Sequence, residues 1–219
     1  PIKLFFVGNH FARKGGIAIL RLAQKALEIG ISMEISIASA LEVGPQTWTD
    51  PMRPGYFDHD LALLKRLPNV KMLGNIPNTQ ILDLVRSSHF VLLPTLSDTF
   101  GFSLIEALAN GTPVIATRQA AIPEFIEDGK NGYLLEMPPV FYALRYPERN
   151  LPSYERDFEQ VCVELAEVML RKLQQCIQNP EHYSALRYDA RKTAEHYFSS
   201  READQFWDSI YREAVPGAV

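Results

Sequence analysis

Short apolar runs alternate with helix-like patterns over the first two thirds of the chain. The runs are four to six residues long and rich in β-branched and aromatic residues, which is typical of strands buried on both faces of a sheet. Between them, apolar residues recur three and four positions apart, as on one face of an amphipathic helix. The predicted strands are 2–7, 33–38, 70–73, 89–94, 113–117 and 132–135, and the predicted helices are 17–29, 60–67, 79–86, 103–110 and a short one near Pro123.

This alternation predicts an α/β fold. Because βαβ units place their strands parallel with right-handed crossovers, we expect a Rossmann-like, doubly wound parallel sheet of about six strands with helices on both faces. A helical C-terminal tail follows, with helices at 155–178, 181–197 and 200–214. Gly30, Gly111 and Gly129 follow helical patterns and are predicted to end them.

Two proline-rich stretches, 43–58 and 138–154, interrupt the alternation and are expected to be surface excursions. We therefore divide the chain into a Rossmann-like core, a Pro- and Tyr-rich insertion and a helical C-terminal part of the same domain. Their ranges are 1–136, 137–155 and 156–219.

Composition narrows the class of protein. The formal net charge of −4 provides no basic field for nucleic acid, and 47% hydrophobic with 22% charged residues excludes a disordered chain. Cys162 and Cys176 lack the spacing of a zinc site and are expected to be buried thiols in a reducing compartment. No apolar run reaches the roughly 18 residues of a membrane span, so we expect a cytoplasmic protein. The first residue is Pro1 and not Met, and the strand pattern starts at once at Ile2 without a lead-in, so we expect a chain cut from a longer one.

The loops after the strands carry the candidate chemistry, because ligands bind at the carboxyl ends of strands in an open parallel sheet. After the first strand, Arg13 and Lys14 precede Gly15 and Gly16 at a helix start, with neither a GxGxxG motif nor a Walker loop. Two cations beside free backbone N–H groups favour a phosphate. Two solvated charges are the alternative interpretation of this loop.

After the fourth strand, Asp98 and Gly101 lead into a helix whose first turn is predicted to contain Glu106. Carboxylates at this edge can accept hydrogen bonds from sugar hydroxyls. The alternative roles are a helix N-cap for Asp98 and a favourable position in the helix dipole for Glu106.

Three weaker features lie in other loops. The loop 74–77 offers backbone groups and an apolar face to a flat base. Arg118 is expected to form an ion pair with a neighbouring carboxylate. The motif Asp58-His59-Asp60 has the DxD form of some metal sites, but its place at a helix start favours a capping role. The five histidines show no metal-ligand spacing, so no metal site is predicted.

Residues 93–117 carry the most specific signal. Asp98-Thr-Phe-Gly-Phe-Ser-Leu-Ile-Glu106, followed by Ala-Leu-Ala-Asn-Gly-Thr-Pro-Val, is similar to a family signature of two acidic residues separated by seven others. Val7-Gly8 with Lys14-Gly15, and Pro123-Glu124, are similar to further blocks of that family. Over about residues 2–136 the chain resembles the C-terminal, donor-binding domain of a retaining GT-B glycosyltransferase of family 4.

The resemblance implies a role for each matching residue. The implied catalytic residues are Lys14 and Arg13, which bind the diphosphate of a nucleotide-sugar, and Asp98, which holds the transferred sugar. Gly8 lets the diphosphate come close, and Glu106 takes the ribose hydroxyls. The remaining donor-binding residues are Asn9, Gly15, Asn75 and Ile76, the last two against the base, together with Thr99, Phe100 and Gly101, which give backbone contacts to sugar and phosphate.

The chain also departs from the family pattern. Asp98 stands where the family usually has Glu, and Asn9 stands where Arg is frequent, although the neighbouring Arg13 can supply that cation. Ala120 and Ala121 replace the usual glycine pair. These departures bear on donor preference and on activity.

The implied reaction is transfer of a hexosyl group from a nucleoside diphosphate sugar to an acceptor with retention of configuration. It requires no metal or other cofactor. The implied partners are the nucleotide-sugar and an N-terminal acceptor domain that this chain lacks; nucleic acid is not among them. Membrane association through that other half is compatible with this interpretation, and the isolated chain is expected to be inactive.

Two other functions stay open at this stage. A degenerate relative could act as a binding module without catalysis, using the tyrosine-rich stretch 138–154. A nucleotide-sugar epimerase would need a histidine paired with an acid in the cleft, for which His10 is the best-placed histidine. The aromatic residues Phe206, Trp207 and Tyr211 of the last helix are interpreted as a packing surface, exposed in this chain because the other half is absent.

Overall fold

The computed structural model describes residues 1–214, which form one parallel six-stranded sheet covered by helices. The strands are β1 Ile2–Val7, β2 Met33–Ala38, β3 Val70–Met72, β4 Phe90–Leu93, β5 Val114–Thr117 and β6 Gly132–Leu135. The helices are α1 Gly16–Glu28, α2 Asp58–Leu64, α3 Asn78–Ser87, α4 Phe102–Ala109, α5 Ile122–Phe125, α6 Pro152–Ile177, α7 Pro180–Tyr197 and α8 Ser200–Ala214. Two 3-10 turns, Pro139–Ala143 and Tyr146–Glu148, connect β6 to α6.

The strand order is β3-β2-β1-β4-β5-β6, and every neighbouring pair is parallel. This is the doubly wound arrangement, so the predicted fold class is confirmed. The order reverses between β1 and β4, which pair at Leu4 with Phe90 and at Phe5 with Val91. At such a switch point the loops after the two strands diverge and leave a crevice.

Successive side chains of a strand point to opposite faces of the sheet and form two apolar layers. Phe6 of β1 lies in the layer covered by α1 and α6, while its neighbour Phe5 lies in the layer covered by α4 and α7. Both phenylalanines are fully buried, which is why the strands read as continuous apolar runs. An ion-pair cluster joins α1 to α6, with Arg21 bonded to Glu159 at 2.5 and 2.9 Å.

Glycine ends two helices as predicted. Gly30 and Gly111 follow α1 and α4 with φ of +72° and +65°, the left-handed conformation that glycine adopts without a steric cost. The prediction for Gly129 is wrong, because α5 already ends at Phe125. The Asn131 side chain donates to the carbonyl of Phe125 at 2.8 Å and accepts from the N–H of residue 127 at 2.9 Å, which stops the helix early.

The stretch 43–58 is not a surface excursion along its whole length. Asp50 is fully buried, and Phe57 is 4% exposed and packs against the core. The second stretch, 138–154, is exposed at Tyr142 and Tyr146 but ends on the buried Tyr154, inside α6. Proline-rich composition predicted the lack of regular structure and could not reveal which side chains fold inward.

The end of the described chain is amphipathic and uncovered. Phe206, Trp207 and Tyr211 of α8 are 59%, 53% and 65% exposed, as predicted for this chain.

Cys162 and Cys176 are buried free thiols, also as predicted, and burial raises the pKa of each thiol. Within residues 1–214, no helix is both long and apolar enough to cross a membrane.

Candidate functional site

The loops after β1 and β4 meet at the switch point and are bonded to each other. The N–H of Leu96 donates to the carbonyl of Arg13 at 2.9 Å, and the Thr95 hydroxyl donates to the same carbonyl at 3.1 Å. Gly15 lies against Pro94 with φ +87°, where an added Cβ would come within 2.0 Å of the Pro94 carbonyl oxygen. Only glycine permits this approach, which sets the start of α1 beside the β4 loop.

Lys14 and Asp98 form an ion pair across the crevice. The Asp98 side chain is 8% exposed and that of Lys14 is 21% exposed. The other carboxylate oxygen of Asp98 accepts the N–H of Thr99 at 2.8 Å. Asp98 is not a helix cap, because Gly101, with φ +80°, occupies the N-cap position of α4.

Arg13 lies beside this pair and is held from two sides. Its guanidinium donates to the carbonyl of Ser97 at 2.9 Å and lies 5.8 Å from the ring centre of Trp48. Both cations of the loop are half-buried and engaged with the β4 loop. They are therefore not two freely solvated charges, and the crevice holds two cations where α1 begins.

Glu106 is the fifth residue of α4 and lies in its second turn, so its predicted place in the first turn is wrong. The helix begins at Phe102, directly after Gly101 and one residue before the predicted start at 103, which moves Glu106 out of the first turn. The carboxylate is half-buried, and this burial raises the pKa of Glu106 above its usual 4.5. Among the described side chains no cation pairs with it.

A pocket of about 350 Å³ lies at the β1 side of the crevice. It brings together the predicted residues Gly8, Asn9, Asn75 and Ile76, which come from loops nearly seventy positions apart. Its other lining residues, mostly apolar, are Val7, Ala38, Gly74 and Ile81. A pocket lined by apolar side chains and two amide side chains can accept a flat heterocycle.

The β4 loop presents its backbone rather than its largest side chain. Thr99 is exposed, whereas the ring of Phe100 packs 5.7 Å from that of Phe125 and 6.4 Å from that of Phe198. The neighbouring Phe102 is 73% exposed at the mouth of the site. The structure therefore assigns the Phe100 ring to holding the loop in place.

The loop after β5 contains a strained residue. Ala120 has φ +43°, in the left-handed region where a Cβ is unfavourable. The next residue, Ala121, donates its N–H to the carbonyl of Thr99 at 3.3 Å and so ties this loop to the β4 loop. The positive φ gives a physical reason for a glycine at position 120, the first of the glycine pair in the family pattern that the sequence resembles.

Two of the weaker sequence features are resolved by ion pairs. Arg118 pairs with Glu136 at 2.6 Å, as predicted. The capping role of the 58–60 motif is wrong, because the side chains of this motif do not cap α2 and Asp60 pairs with Arg21 at 2.9 Å. Among residues 1–214 no group of three His, Cys, Asp or Glu side chains is arranged to hold a metal ion.

His10 does have an acidic neighbour, as an epimerase would need. Its Nδ1 lies 2.9 Å from a carboxylate oxygen of Glu42. The two residues form an isolated parallel bridge, with the N–H of Phe11 donating to the Glu42 carbonyl at 2.8 Å and the N–H of Glu42 donating to the Asn9 carbonyl at 2.9 Å. This bridge accounts for the pair as a link between the loops after β1 and β2.

Sequence reasoning did not identify Trp48 or Asp50 as residues near the site. Trp48 donates its indole N–H to the Ser97 hydroxyl at 3.2 Å, over a separation of 49 residues. A tryptophan in a proline-rich stretch has no periodicity and matches no motif. No local signal could have placed it beside the β4 loop.

Comparisons with known proteins agree with this fold. Residues 58–140, from α2 into the first 3-10 turn, match the family Glycosyl transferases group 1. The D-inositol 3-phosphate glycosyltransferase of Thermobifida fusca is 29% identical over 135 residues, which cover 62% of this chain and 31% of that protein. The N-acetyl-alpha-D-glucosaminyl L-malate synthase of Bacillus anthracis is 40% identical over 80 residues, covering 35% of this chain and 20% of that protein. The chain spans less than half the length of these relatives.

Solved structures show the same fold at low identity. The C-terminal domain of a group 1 glycosyl transferase (LpcC) from Francisella tularensis is 18% identical with a TM-score of 0.62, covering 90% of this chain and 86% of that one. Anabaena HepE in complex with UDP-glucose is 19% identical with a TM-score of 0.61, covering 97% of this chain and 49% of that one. Residues 58–140 of the chain are therefore similar to the group 1 glycosyl transferases, and the chain has the fold of a GT-B C-terminal domain.

Proposed function

We propose that this chain is the donor-binding domain of a retaining glycosyltransferase that moves a hexosyl group from a nucleoside diphosphate sugar to an acceptor. The observation that carries the proposal is the meeting of Arg13, Lys14 and Asp98 at the switch point, with a base-sized pocket at the adjacent end of the crevice. A nucleotide-sugar needs a cationic centre for its diphosphate flanked by separate sites for base and sugar. The order of the pocket, the two cations and Asp98 along the crevice supports this assignment.

The diphosphate is proposed to bind at the start of α1. Lys14 and Arg13 supply two positive charges, and the first turn of the helix adds free N–H groups and the positive end of the dipole. Gly8 leaves room, because a Cβ there would lie 3.3 Å from the Lys14 side chain. As the bond to the sugar breaks, negative charge grows on the diphosphate, and losing one such preorganised donor typically costs about 3 kcal/mol.

The sugar and the nucleoside are proposed to lie on opposite sides of that centre. Asp98, which pairs with Lys14, accepts hydroxyl hydrogen bonds from the hexose. Glu106 takes the ribose hydroxyls, and the base enters the pocket beside Asn75 and Ile76. The UDP-glucose complex of the structurally similar HepE supports this class of ligand.

The remaining parts of the proposal concern the whole enzyme. No metal is invoked, because the two cations and the helix start provide the charge that a metal would otherwise supply. The acceptor is proposed to bind a separate N-terminal domain, through which the enzyme could also reach a membrane surface. Buried free thiols at Cys162 and Cys176 support a reducing, cytoplasmic location.

Isothermal titration calorimetry with UDP, GDP and ADP tests the proposal. We expect one of the three to bind, and we expect Lys14→Ala and Glu106→Ala each to weaken that binding about tenfold or more. Lys25→Ala is the matched control, because Lys25 is a half-exposed cation of α1 that pairs with Glu28 at 3.7 Å, outside the site. Absence of binding by all three nucleotides would refute the donor-binding role.

A binding module without catalysis is the second candidate. The exposed Tyr142 and Tyr146 in the stretch before α6 favour it, since both present aromatic surface to a partner. Fusing the chain to an N-terminal half of a related enzyme and assaying sugar transfer separates the two functions. Retained nucleotide binding with restored transfer supports the enzyme, whereas partner binding without nucleotide binding supports the module.

A further inference from the structure

Residues 44–51, named here the Trp48 arm, fold back from the end of β2 toward the β4 loop. The family match begins at residue 58, so the arm lies outside the part of the chain that this match covers. Its tip carries Trp48, whose side chain is exposed, while Thr47, Thr49 and Asp50 around it are buried. The arm therefore has a fixed base and one large side chain projecting from it.

Asp50 organises the arm from within. One of its carboxylate oxygens accepts the N–H of Gly44 at 2.9 Å, and the other accepts the Thr49 hydroxyl at 3.0 Å. The N–H of Thr47 donates to the Gly44 carbonyl at 3.1 Å, which closes a turn at the start of the arm. A buried carboxylate with satisfied acceptors fixes the backbone around it.

Two further bonds hold the residues on either side of Trp48. The Tyr154 hydroxyl of α6 donates to the Thr49 carbonyl at 2.8 Å, and the Arg149 guanidinium donates to the Thr47 carbonyl. The indole itself is anchored by its N–H to the Ser97 hydroxyl at 3.2 Å. Three separate elements thus set the orientation of the ring.

The anchored indole lies where the transferred sugar is proposed to bind. Ser97, its hydrogen-bond partner, immediately precedes Asp98, and Arg13 lies 5.8 Å from the ring centre. The side chain is nevertheless 56% exposed, so a large part of its aromatic surface faces the crevice or solvent. Fixed, exposed aromatic surface beside a carboxylate is suited to a ligand with both hydroxyls and an apolar face.

We propose that Trp48 is a specificity-determining residue that packs against the hexosyl ring of the donor. A pyranose presents C–H groups on its faces, and these carry partial positive charge that is attracted to the negative face of an indole. Asp98 then bonds the hydroxyls while Trp48 covers a face of the ring. This inference rests on the proposed donor-binding role. It states that the Trp48 arm contacts the sugar of the donor and not its nucleotide.

The test compares a nucleotide-sugar with its free nucleotide on the same chain. Calorimetry with UDP-glucose and UDP, or with the GDP-mannose and GDP pair if guanine is preferred, is run on Trp48→Leu, which keeps apolar bulk without an aromatic face. We expect the affinity for the nucleotide-sugar to fall about tenfold and that for the free nucleotide to stay within about twofold. Trp207→Leu is the matched control, since Trp207 is similarly exposed on α8.

Fluorescence provides a second readout that does not depend on altering Trp48. The chain has two tryptophans, so Trp207→Phe leaves Trp48 as the sole reporter. We expect the nucleotide-sugar to shift its emission more than the free nucleotide does. The role of Trp48 would be overturned if Trp48→Leu lost equal affinity for both ligands or left both affinities unchanged. It would also be overturned if the two ligands changed the emission of Trp48 equally. Failure of every nucleotide to bind the unaltered chain would instead refute the donor-binding role.

Discussion

Lys14 and Asp98, 84 positions apart in the chain, form an ion pair that joins the loops after β1 and β4. The carboxylate is almost fully removed from water, while the ammonium keeps partial contact with solvent. Because a buried charge without a partner is costly, Asp98 depends on Lys14 more than Lys14 depends on Asp98. The pair therefore adds a charged link between the two loops to the backbone bonds that already join them.

This asymmetry predicts different stability costs for the two single substitutions. We expect Lys14→Met to lower the free energy of unfolding by about 2 kcal/mol, because it strands a buried carboxylate. Asp98→Asn should cost less, and the double variant should be more stable than Lys14→Met alone. Urea denaturation of all four proteins gives the coupling energy. Strictly additive effects would contradict the ion pair.

The contact of Gly15 with Pro94 predicts a severe effect of a single methyl group. Gly15→Ala places a Cβ on the Pro94 carbonyl at an unfavourable φ, and we expect a loss of about 3 kcal/mol or more. Gly30→Ala is the control, with φ +72° but no atom within 4 Å of the added Cβ. It should cost only about 1 kcal/mol, the conformational part alone. Equal melting temperatures for the two variants would show that the close approach is unimportant.

The cluster around Arg21 predicts that α1 and α6 are coupled by charge. Arg21, with its side chain 19% exposed, binds Glu159 and Asp60; burial lowers the pKa of Arg21, but the two carboxylates together raise it above its ordinary value. Arg21→Met should destabilise the chain by about 2 kcal/mol because it leaves the buried Asp60 unpaired. Lys25→Met, which removes an exposed pair, should change stability by less than about 1 kcal/mol. Chemical denaturation distinguishes the two.

The burial of Glu106 predicts a pH dependence of nucleotide binding. Only the ionised carboxylate is a strong acceptor for ribose hydroxyls, and burial raises the pKa of Glu106. Affinity should therefore be highest well above that pKa and should fall as the pH is lowered, beginning at a higher pH than an exposed glutamate would show. Calorimetry between about pH 8 and about pH 5 measures this. In Glu106→Gln this component of the pH dependence should be lost; an unchanged profile would exclude Glu106 as its source.

The positive φ of Ala120 predicts a stabilising substitution beside the site. Ala120→Gly removes the steric cost of the left-handed conformation, and we expect the free energy of unfolding to rise by up to about 1 kcal/mol. Ala121→Gly is the control, because Ala121 has an ordinary helical φ of −77° and glycine there only adds unfolded-state entropy. A lower melting temperature for Ala120→Gly would contradict the strain.

The elements of the sheet were predictable because burial and periodicity are encoded locally. Strands such as 2–7 and 132–135 were predicted at the bounds the structure gives them, and α6 begins three residues earlier than predicted. The residues of the proposed phosphate site could also be placed at one edge, since parallel strands bring their carboxyl ends together. The predictions from local pattern were wrong where a side chain from another part of the structure makes the contact. Asn131 bonds to the end of α5 and stops that helix, and Arg21 pairs with Asp60, which was predicted to cap α2.

The sequence by itself determined the doubly wound fold, the family resemblance and the two cations beside the first helix. Each of these depends on neighbours in the chain or on a contiguous motif. Tertiary structure alone decided that Lys14 engages Asp98, that Asp50 is buried and that Trp48 reaches Ser97. These relationships join residues from loops that approach one another only when the sheet closes. Their energies come from burial and hydrogen-bond geometry, which a linear pattern does not contain.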